Sequence, residues 1–297
     1  MILTVNMIDD VKQSVGIMVH RTRPEALHFA REVVGWLEAR DVPVRMDSNA
    51  AERLKMPVLA CVEDSWTDVA FIITLGGDGT ILTAAREAAP CGIPILGVHM
   101  GRFGFIAETH PEDLYGNLEE ILSGQMKIEE RIMVRADILR GNRSVYSGFG
   151  LNDVSLKSKT TQLLNLKTRI GGAHFATYPA DGVIVSTPTG STGYALSAGG
   201  PLIAPSVEAF VLVPICPHTL SARPIIVPSK ETIEIEIETD GDDVFLAIDG
   251  VVPIALETGD RVVIEQAPYR TRLIIVDHTT FYAKVRNRYL YGERLNN

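Results

Sequence analysis

Gly76-Gly77-Asp78-Gly79-Thr80 follows an apolar run and opens a helix-forming one. Glycines at such a junction permit a tight turn and let a phosphate approach backbone N–H groups closely, so Gly76, Gly77, Gly79 and Thr80 read as a phosphate-binding loop. Asp78 stands inside that loop. A carboxylate beside a phosphate repels it unless the carboxylate accepts a hydroxyl proton or works with a metal, and phosphoryl transfer is the chemistry that suits this arrangement. Taken alone, the same pentapeptide also suits a capped strand-to-helix turn.

A second segment, residues 180–197, reads ADGVIVSTPTGSTGYALS. A strand-like Val183-Ile184-Val185 enters a small-residue turn dense in hydroxyls. Those hydroxyls and the turn's backbone donors suit ribose and phosphate, and Tyr194 offers a stacking face. Composition alone reads it as a loop. There is no G-x-x-x-x-G-K-[ST] loop and no G-x-G-x-x-G fingerprint, which disfavours a hydride-transfer enzyme.

The elements that must carry these segments follow from periodicity. Residues 14–19 form an apolar strand pattern, after which Ala26, Phe29, Val33, Val34 and Leu37 recur at helical spacing. Strands are expected at 42–46, 69–75 and 93–98, with a helix over 81–89, and this alternation predicts a parallel α/β sheet. After Gln125 the texture changes to short strands at 134–139, 144–149, 162–170 and 232–238. In the last of these, Ile233, Ile235 and Ile237 alternate with Glu234, Glu236 and Glu238, the pattern of a half-buried strand with a solvated acidic face and no chemistry. The expected organisation is an α/β domain over 1–125 and a β-rich, β-sandwich-like domain over 126–270. A tail over 271–297, with some helical character across 281–294, either docks on the first domain, the favoured expectation, or forms a solvated end, and the pattern alone leaves the two open.

The 297 residues carry a formal net charge of −9, which argues against a nucleic-acid surface while leaving small anionic ligands open. Cys61, Cys91 and Cys216 are far apart, without metal or disulfide spacing. His99, His218 and His278 are too dispersed for a triad or a metal centre and read as core or surface hydrogen-bonding groups. No apolar run reaches membrane-spanning length, and the start of the chain is unlike a secretory signal, so a cytoplasmic protein without a membrane segment is expected.

GGDGT followed far downstream by DGVIVSTPTGSTGYALSAGGP resembles the signature pair of the NAD kinase family. Leu151-Asn152-Asp153 resembles that family's Asn-acid motif, and FYAKVRNRYLYGERL resembles its C-terminal segment. The resemblance implies a two-domain fold that phosphorylates the 2′-hydroxyl of NAD's adenosine ribose, with ATP or polyphosphate as donor. It implies Asp78 as general base beside Gly79. Asn152, Asp153, Asp181, Thr189, Thr192, Gly193, Tyr194 and Ser197 are implied as contacts to NAD, with Phe105, after Gly101-Arg102-Phe103-Gly104, at the pocket edge. Asp249 matches a position that reaches a neighbouring subunit's NAD, implying a homodimer or homotetramer. Mg²⁺ or another divalent cation is expected to arrive with ATP instead of in a dedicated protein cage. The chain departs from the common pattern at Gly193 in place of alanine, Val251 in place of glutamine and Asp153 in place of glutamate.

Two other readings compete. Lipid kinases of the diacylglycerol-kinase type share the GGDGT turn but continue into an Asn-Glu pair, where Ile81-Leu82-Thr83 stands here. A nucleotide-binding regulator without turnover is the other, and Asp78 argues against it.

Overall fold

The structure is a computed structural model that describes residues 2–5, 13–61, 66–101, 104–107, 109–160, 163–238, 244–251, 253–276 and 279–289. Arg102, Phe103, Gln162, His278 and residues 290–294, named above, lie outside the described residues. The chain divides into two compact units, Met1–Glu130 with Thr271–Asn297, and Arg131–Arg270.

The first unit contains β1 (Ile2–Val5), β2 (Ser14–Val19), α1 (Pro24–Glu38), β3 (Val44–Met46), α2 (Ser48–Leu54), β4 (Val69–Gly76), α3 (Asp78–Ala88), β5 (Ile95–His99) and α4 (Leu114–Leu122). Strands β5, β4, β2 and β3 lie side by side in parallel. Every residue of β2 and β5 is buried, as expected for parallel strands covered on both faces. Pro24 opens α1 at the first-turn position that tolerates a missing N–H, and its stripe of Ala26, Ala30, Val33, Val34 and Leu37 enters the core. The carboxylate of Asp47 caps α2 by accepting the N–H of Ala50 at 2.9 Å, and its other oxygen accepts the N–H of Val19 at 2.9 Å.

Helix α3 begins at Asp78 itself, three residues before the expected start, because Gly77 serves as its N-cap with extended backbone. The expected tight turn is formed by Gly77 alone, whose carbonyl accepts the N–H of Thr80 at 2.9 Å, but none of Gly76, Gly77 and Gly79 has the positive φ that favours glycine. Gly76 is required for another reason, since a β-carbon there would collide with the Thr80 side chain.

Strand β6 (Met126–Arg140) is far longer than the 134–139 expected, and it leads into the second unit. Next come β7 (Arg143–Gly150), β8 (Asp153–Ser158), β9 (Leu164–Ile170), β10 (Ala173–Ala180), β11 (Gly182–Ser186), the short helix α5 (Tyr194–Ser197), β12 (Ala209–Ile215), β13 (Ile225–Pro228), β14 (Ile233–Ile237), β15 (Val244–Ile248), β16 (Ile254–Leu256) and β17 (Arg261–Ile274). One sheet of this unit includes β10, β9, β14 and β17 in that order, and the other runs β13, β12, β11, β8, β15, β16. Leu166, Ile233, Ile235 and Ile264 of the former share one buried cluster with Leu156, Val185, Phe210 and Leu246 of the latter. That is a β-sandwich core. The carboxylates of β14 do more than face solvent: Glu234 pairs with Arg169 and Arg261, Glu236 and Glu238 with Lys167, forming a cross-strand ladder of charges.

After β17, whose Leu273 pairs with Ile95 of β5, helix α6 (Phe281–Tyr289) belongs to the first unit. Among the described residues, no helix is long and apolar enough to cross a membrane.

Candidate functional site

In the first unit, β4 ends at Gly76 and delivers Asp78 to the first turn of α3. The Asp78 carboxylate is held by three successive backbone amides. Phe105 N–H donates to Oδ2 at 2.9 Å, and the N–H groups of Ile106 and Ala107 donate to Oδ1 at 3.3 Å each. Gly104 makes this approach possible, because a β-carbon at that position would overlap the carboxylate. A carboxylate oxygen has two in-plane lone pairs, so Oδ1 is filled by these bonds while Oδ2 keeps one acceptor position.

Around the turn, a β-carbon on Gly77 or Gly79 would meet no protein atom within 4 Å, so the space over them is open to a ligand. Gly79 and Thr80 line a cavity of about 400 Å³ with His20, Arg21, Asp47 and Thr83. It lies beside the end of β2, where the chain order of the parallel sheet reverses, between β3 on one side and β4 on the other. Such reversal points are where open α/β sheets take up ligands. Phe105, expected at a pocket edge, is partly buried and stacks on Tyr289 of α6, with ring centroids 5.7 Å apart and 23° between planes.

The sequence pattern sets His99 aside, yet His99 pairs in register with Gly76 at the C-terminal end of β5 and is buried. Burial lowers its pKa, the charge of Asp78 opposes that effect, and His110, Arg23 and Arg288 add to the lowering. The net effect is a lowered pKa for a buried imidazole that lies beside Gly76.

In the second unit, Asn152, Asp153, Tyr194 and Asp249 line one cavity of about 680 Å³. Ser155 and Lys157 lie along β8 on the same face as Asp153, and Phe245 and Val251 complete the lining. Motif reading missed Ser155, Lys157 and Phe245, although the alternation from Asp153 is the signal that would have found the first two. The Lys157 ammonium stands 5.1 Å over the ring of Tyr194. Thr189 is buried and its hydroxyl accepts from Arg131 at 3.4 Å. A β-carbon on Gly193 would lie 3.8 Å from the Asn152 side-chain nitrogen, placing position 193 beside the Asn-acid motif. Asp181 and Ser197 are exposed and do not line this cavity.

Most hydroxyls of the 186–192 turn are used to build it. Thr187 Oγ1 donates to the Leu151 carbonyl at 2.6 Å and accepts the Gly190 N–H at 3.2 Å. Ser186 donates to the carbonyl of Asn152, Ser191 to that of Pro188, and Thr192 to that of Thr189. Hydroxyl density here therefore shapes the backbone before it offers anything to a ligand.

Asp249 repeats the arrangement of Asp78. Its carboxylate accepts the N–H groups of Leu151 at 2.9 Å, Asn152 at 2.7 Å and Asp153 at 3.1 Å, and Gly150 leaves the room a β-carbon would fill. Asp153 is buried, and its carboxyl is pushed up to about 7 by burial first and by the charge of Asp249 second, against the opposing pull of Lys157. Among the described residues, no three His, Cys, Asp or Glu side chains are grouped to hold a metal ion.

Comparison with known proteins follows this division. Residues 15–126 match the family model of the ATP-NAD kinase N-terminal domain, and residues 151–276 match that of the ATP-NAD kinase C-terminal domain. The NAD kinase of Moorella thermoacetica is 38% identical over 281 residues, covering 94% of this chain and 90% of the relative. That of Geobacter sulfurreducens is 37% identical over 283 residues, covering 95% of this chain and 100% of the relative. In fold, the chain resembles yeast NADH kinase complexed with NADH, with a TM-score of 0.88 at 24% identity over 96% of this chain and 90% of that one. An Archaeoglobus fulgidus NAD kinase in complex with ATP matches with a TM-score of 0.70 at 24% identity, over 94% and 97% of the two chains. With both domain families matched and such relatives aligned along nearly its whole length, this chain belongs to the ATP-NAD kinase family.

Proposed function

We propose that Asp78 is the general base for transfer of the γ-phosphoryl group of ATP to the 2′-hydroxyl of NAD's adenosine ribose. The overall reaction is that of the family: NAD and ATP are consumed, and phosphorylated NAD and ADP are released. The observation that carries the residue assignment is the three-amide hold on Asp78, in which Oδ2 accepts one N–H and so keeps a second acceptor position. In this reading the hydroxyl proton passes to Oδ2 as the ribose oxygen bonds to the γ-phosphorus, and the bond from that phosphorus to the β-phosphate oxygen breaks. Because the transition state of such transfers is loose, the proton leaves late, and a base whose charge is steadied by amides suffices.

The N–H groups at the start of α3 and the open space over Gly77 and Gly79 suit the donor's phosphates. Asn152, Asp153, Tyr194 and Asp249 suit the nucleoside hydroxyls and base of the acceptor, with Asp181, Thr189, Thr192, Gly193 and Ser197 as the further contacts the family implies. The divalent cation enters as the magnesium complex of ATP, held by triphosphate oxygens. A homodimer or homotetramer is inferred from the family, and sedimentation velocity tests it.

The deciding experiment is formation of phosphorylated NAD from NAD and Mg-ATP by the purified protein, with Asp78→Asn beside the wild type. Asp78→Asn is expected to bind NAD and to lose roughly 10²- to 10⁴-fold in kcat. Unchanged turnover in that variant overturns the role of Asp78. Diacylglycerol phosphorylation without NAD phosphorylation overturns the acceptor.

A further inference from the structure

We propose that Tyr289 of α6, with Arg288 beside it, is a positioning residue for the base. It holds the ring of Phe105, and through the Phe105 N–H it fixes the Oδ2 oxygen of Asp78. This rests on the reading of Asp78 as general base, and it adds the element that orients the accepting oxygen.

The three amides that hold Asp78 are not anchored alike. Ile106 and Ala107 are buried in the core, so packing fixes their N–H groups, each 3.3 Å from Oδ1. Ala107 is also pressed against β5, where a β-carbon on Gly97 would lie 3.0 Å from the Ala107 α-carbon. Phe105 is only partly buried, yet its N–H makes the shortest of the three bonds, 2.9 Å to Oδ2. That bond reaches the oxygen assigned the hydroxyl proton. The Phe105 ring meets α6: it stacks on Tyr289 with centroids 5.7 Å apart and 23° between planes, and the Arg288 guanidinium carbon lies 5.6 Å from the Phe105 centroid. Both contacts fall within the range in which aromatic pairs and cations over rings attract.

The placing of α6 follows from its own sequence. Thr280 opens it, with its hydroxyl accepting the Ala283 N–H at 3.3 Å. Val285 is the one buried side chain among its nine residues, so that face of the helix is turned into the first unit. Tyr289 stands four residues on, one turn along the same face. The charge of Arg288 is felt by His99, the register partner of Gly76, which puts the last turn of α6 at the corner where the phosphate loop begins. A helix with so little buried apolar surface adds little to the core. Its last turn instead meets the one residue of the amide cradle whose side chain the core does not enclose.

The test is amide hydrogen exchange read by NMR in ligand-free protein, with steady-state kinetics, on the wild type, Tyr289→Ala, Tyr289→Phe and Arg288→Ala. Tyr289 is 39% exposed, so its replacement leaves the core closed. In Tyr289→Ala the Phe105 amide is expected to exchange about tenfold faster, while the amides of Ile106 and Ala107 keep their wild-type rates. The same variant loses about tenfold in kcat with KM for NAD unchanged, a smaller loss than displacement of the whole carboxylate because two amides still hold Oδ1. Tyr289→Phe keeps wild-type exchange and kcat, since the ring makes the contact. Arg288→Ala falls between the two tyrosine variants. Wild-type exchange at Phe105 in Tyr289→Ala, or faster exchange with wild-type kcat, overturns the proposal. So does a Tyr289→Phe variant as impaired as Tyr289→Ala. A rise in KM for NAD with kcat unchanged overturns it too, because Tyr289 then acts as a ligand contact. Should the exchange rates behave as expected in a protein that phosphorylates no NAD, the hold of α6 on the Asp78 cradle stands and the functional reading alone fails.

Discussion

Gly104 lies so close to Asp78 that a β-carbon at position 104 would occupy the space of the carboxylate, and the three amides that hold Asp78 belong to the three residues that follow Gly104. The proposed base is therefore oriented by a segment 26 to 29 residues further along the chain, not by its own loop.

Gly104→Ala tests this dependence. The added methyl group pushes Asp78 away from its amides, and a misplacement of about 1 Å at a reacting group costs on the order of 10²-fold in rate. Steady-state kinetics should show kcat falling by that order while KM for NAD changes little. A variant with wild-type kcat would show that the amide hold is dispensable.

Thr187→Val keeps the side-chain shape and removes the hydroxyl that joins the Leu151 carbonyl to the Gly190 N–H. Thr187 is fully buried, and two backbone groups are left without that partner, so the second unit should lose about 3 kcal/mol. Urea unfolding followed by far-ultraviolet circular dichroism reads this. Tryptophan fluorescence does not, because Trp36 and Trp66 both lie in the first unit.

Asp153 gives stability a pH dependence of known sign. Its folded pKa is raised above the unfolded value, so the native state binds the extra proton and stability falls as pH rises from about 4 to about 7. Asp153→Asn removes that slope. Melting temperatures of the two proteins should differ more at pH 8 than at pH 4, with the variant gaining at the higher pH.

Asp260 has the opposite sign. Burial pulls its pKa upward, but two bonds from Arg140 at 3.0 and 2.9 Å and one from the Glu257 N–H at 2.8 Å outweigh it and leave the pKa lowered. The stability it contributes is complete above the usual carboxylate range and is lost as pH falls through its folded value. Asp260→Asn should melt below the wild type at pH 7, and the gap should close on acidification towards pH 3.

Local pattern carried much of the fold because local pattern is what periodicity records. Ile233, Ile235 and Ile237 were legible as one buried face by alternation alone. The cations opposite their glutamates were not, since Lys167, Arg169 and Arg261 reach them from two other strands. The same limit applied at the site. Asp78 stood out by residue type within a glycine-rich turn, whereas its amide donors are distant in sequence. The length of β6 was hidden by Glu129, Glu130 and Arg131, which interrupt the apolar alternation although the strand continues through them. Hydroxyl density in residues 186–192 was legible, but composition does not say which hydroxyls face the backbone.

Those backbone-facing hydroxyls also bear on the thermodynamics of recognition. Ser186, Thr187 and Ser191 are fully buried and bonded before any ligand arrives, so the turn that leads into Tyr194 has already lost its conformational freedom during folding. On the proposed reading of the neighbouring cavity as the nucleotide site, little ordering entropy remains to be lost there on binding. Calorimetric titration with NAD should therefore show a heat-capacity change set by the apolar surface covered in the cavity, without the larger increment that accompanies folding of a loop around its ligand.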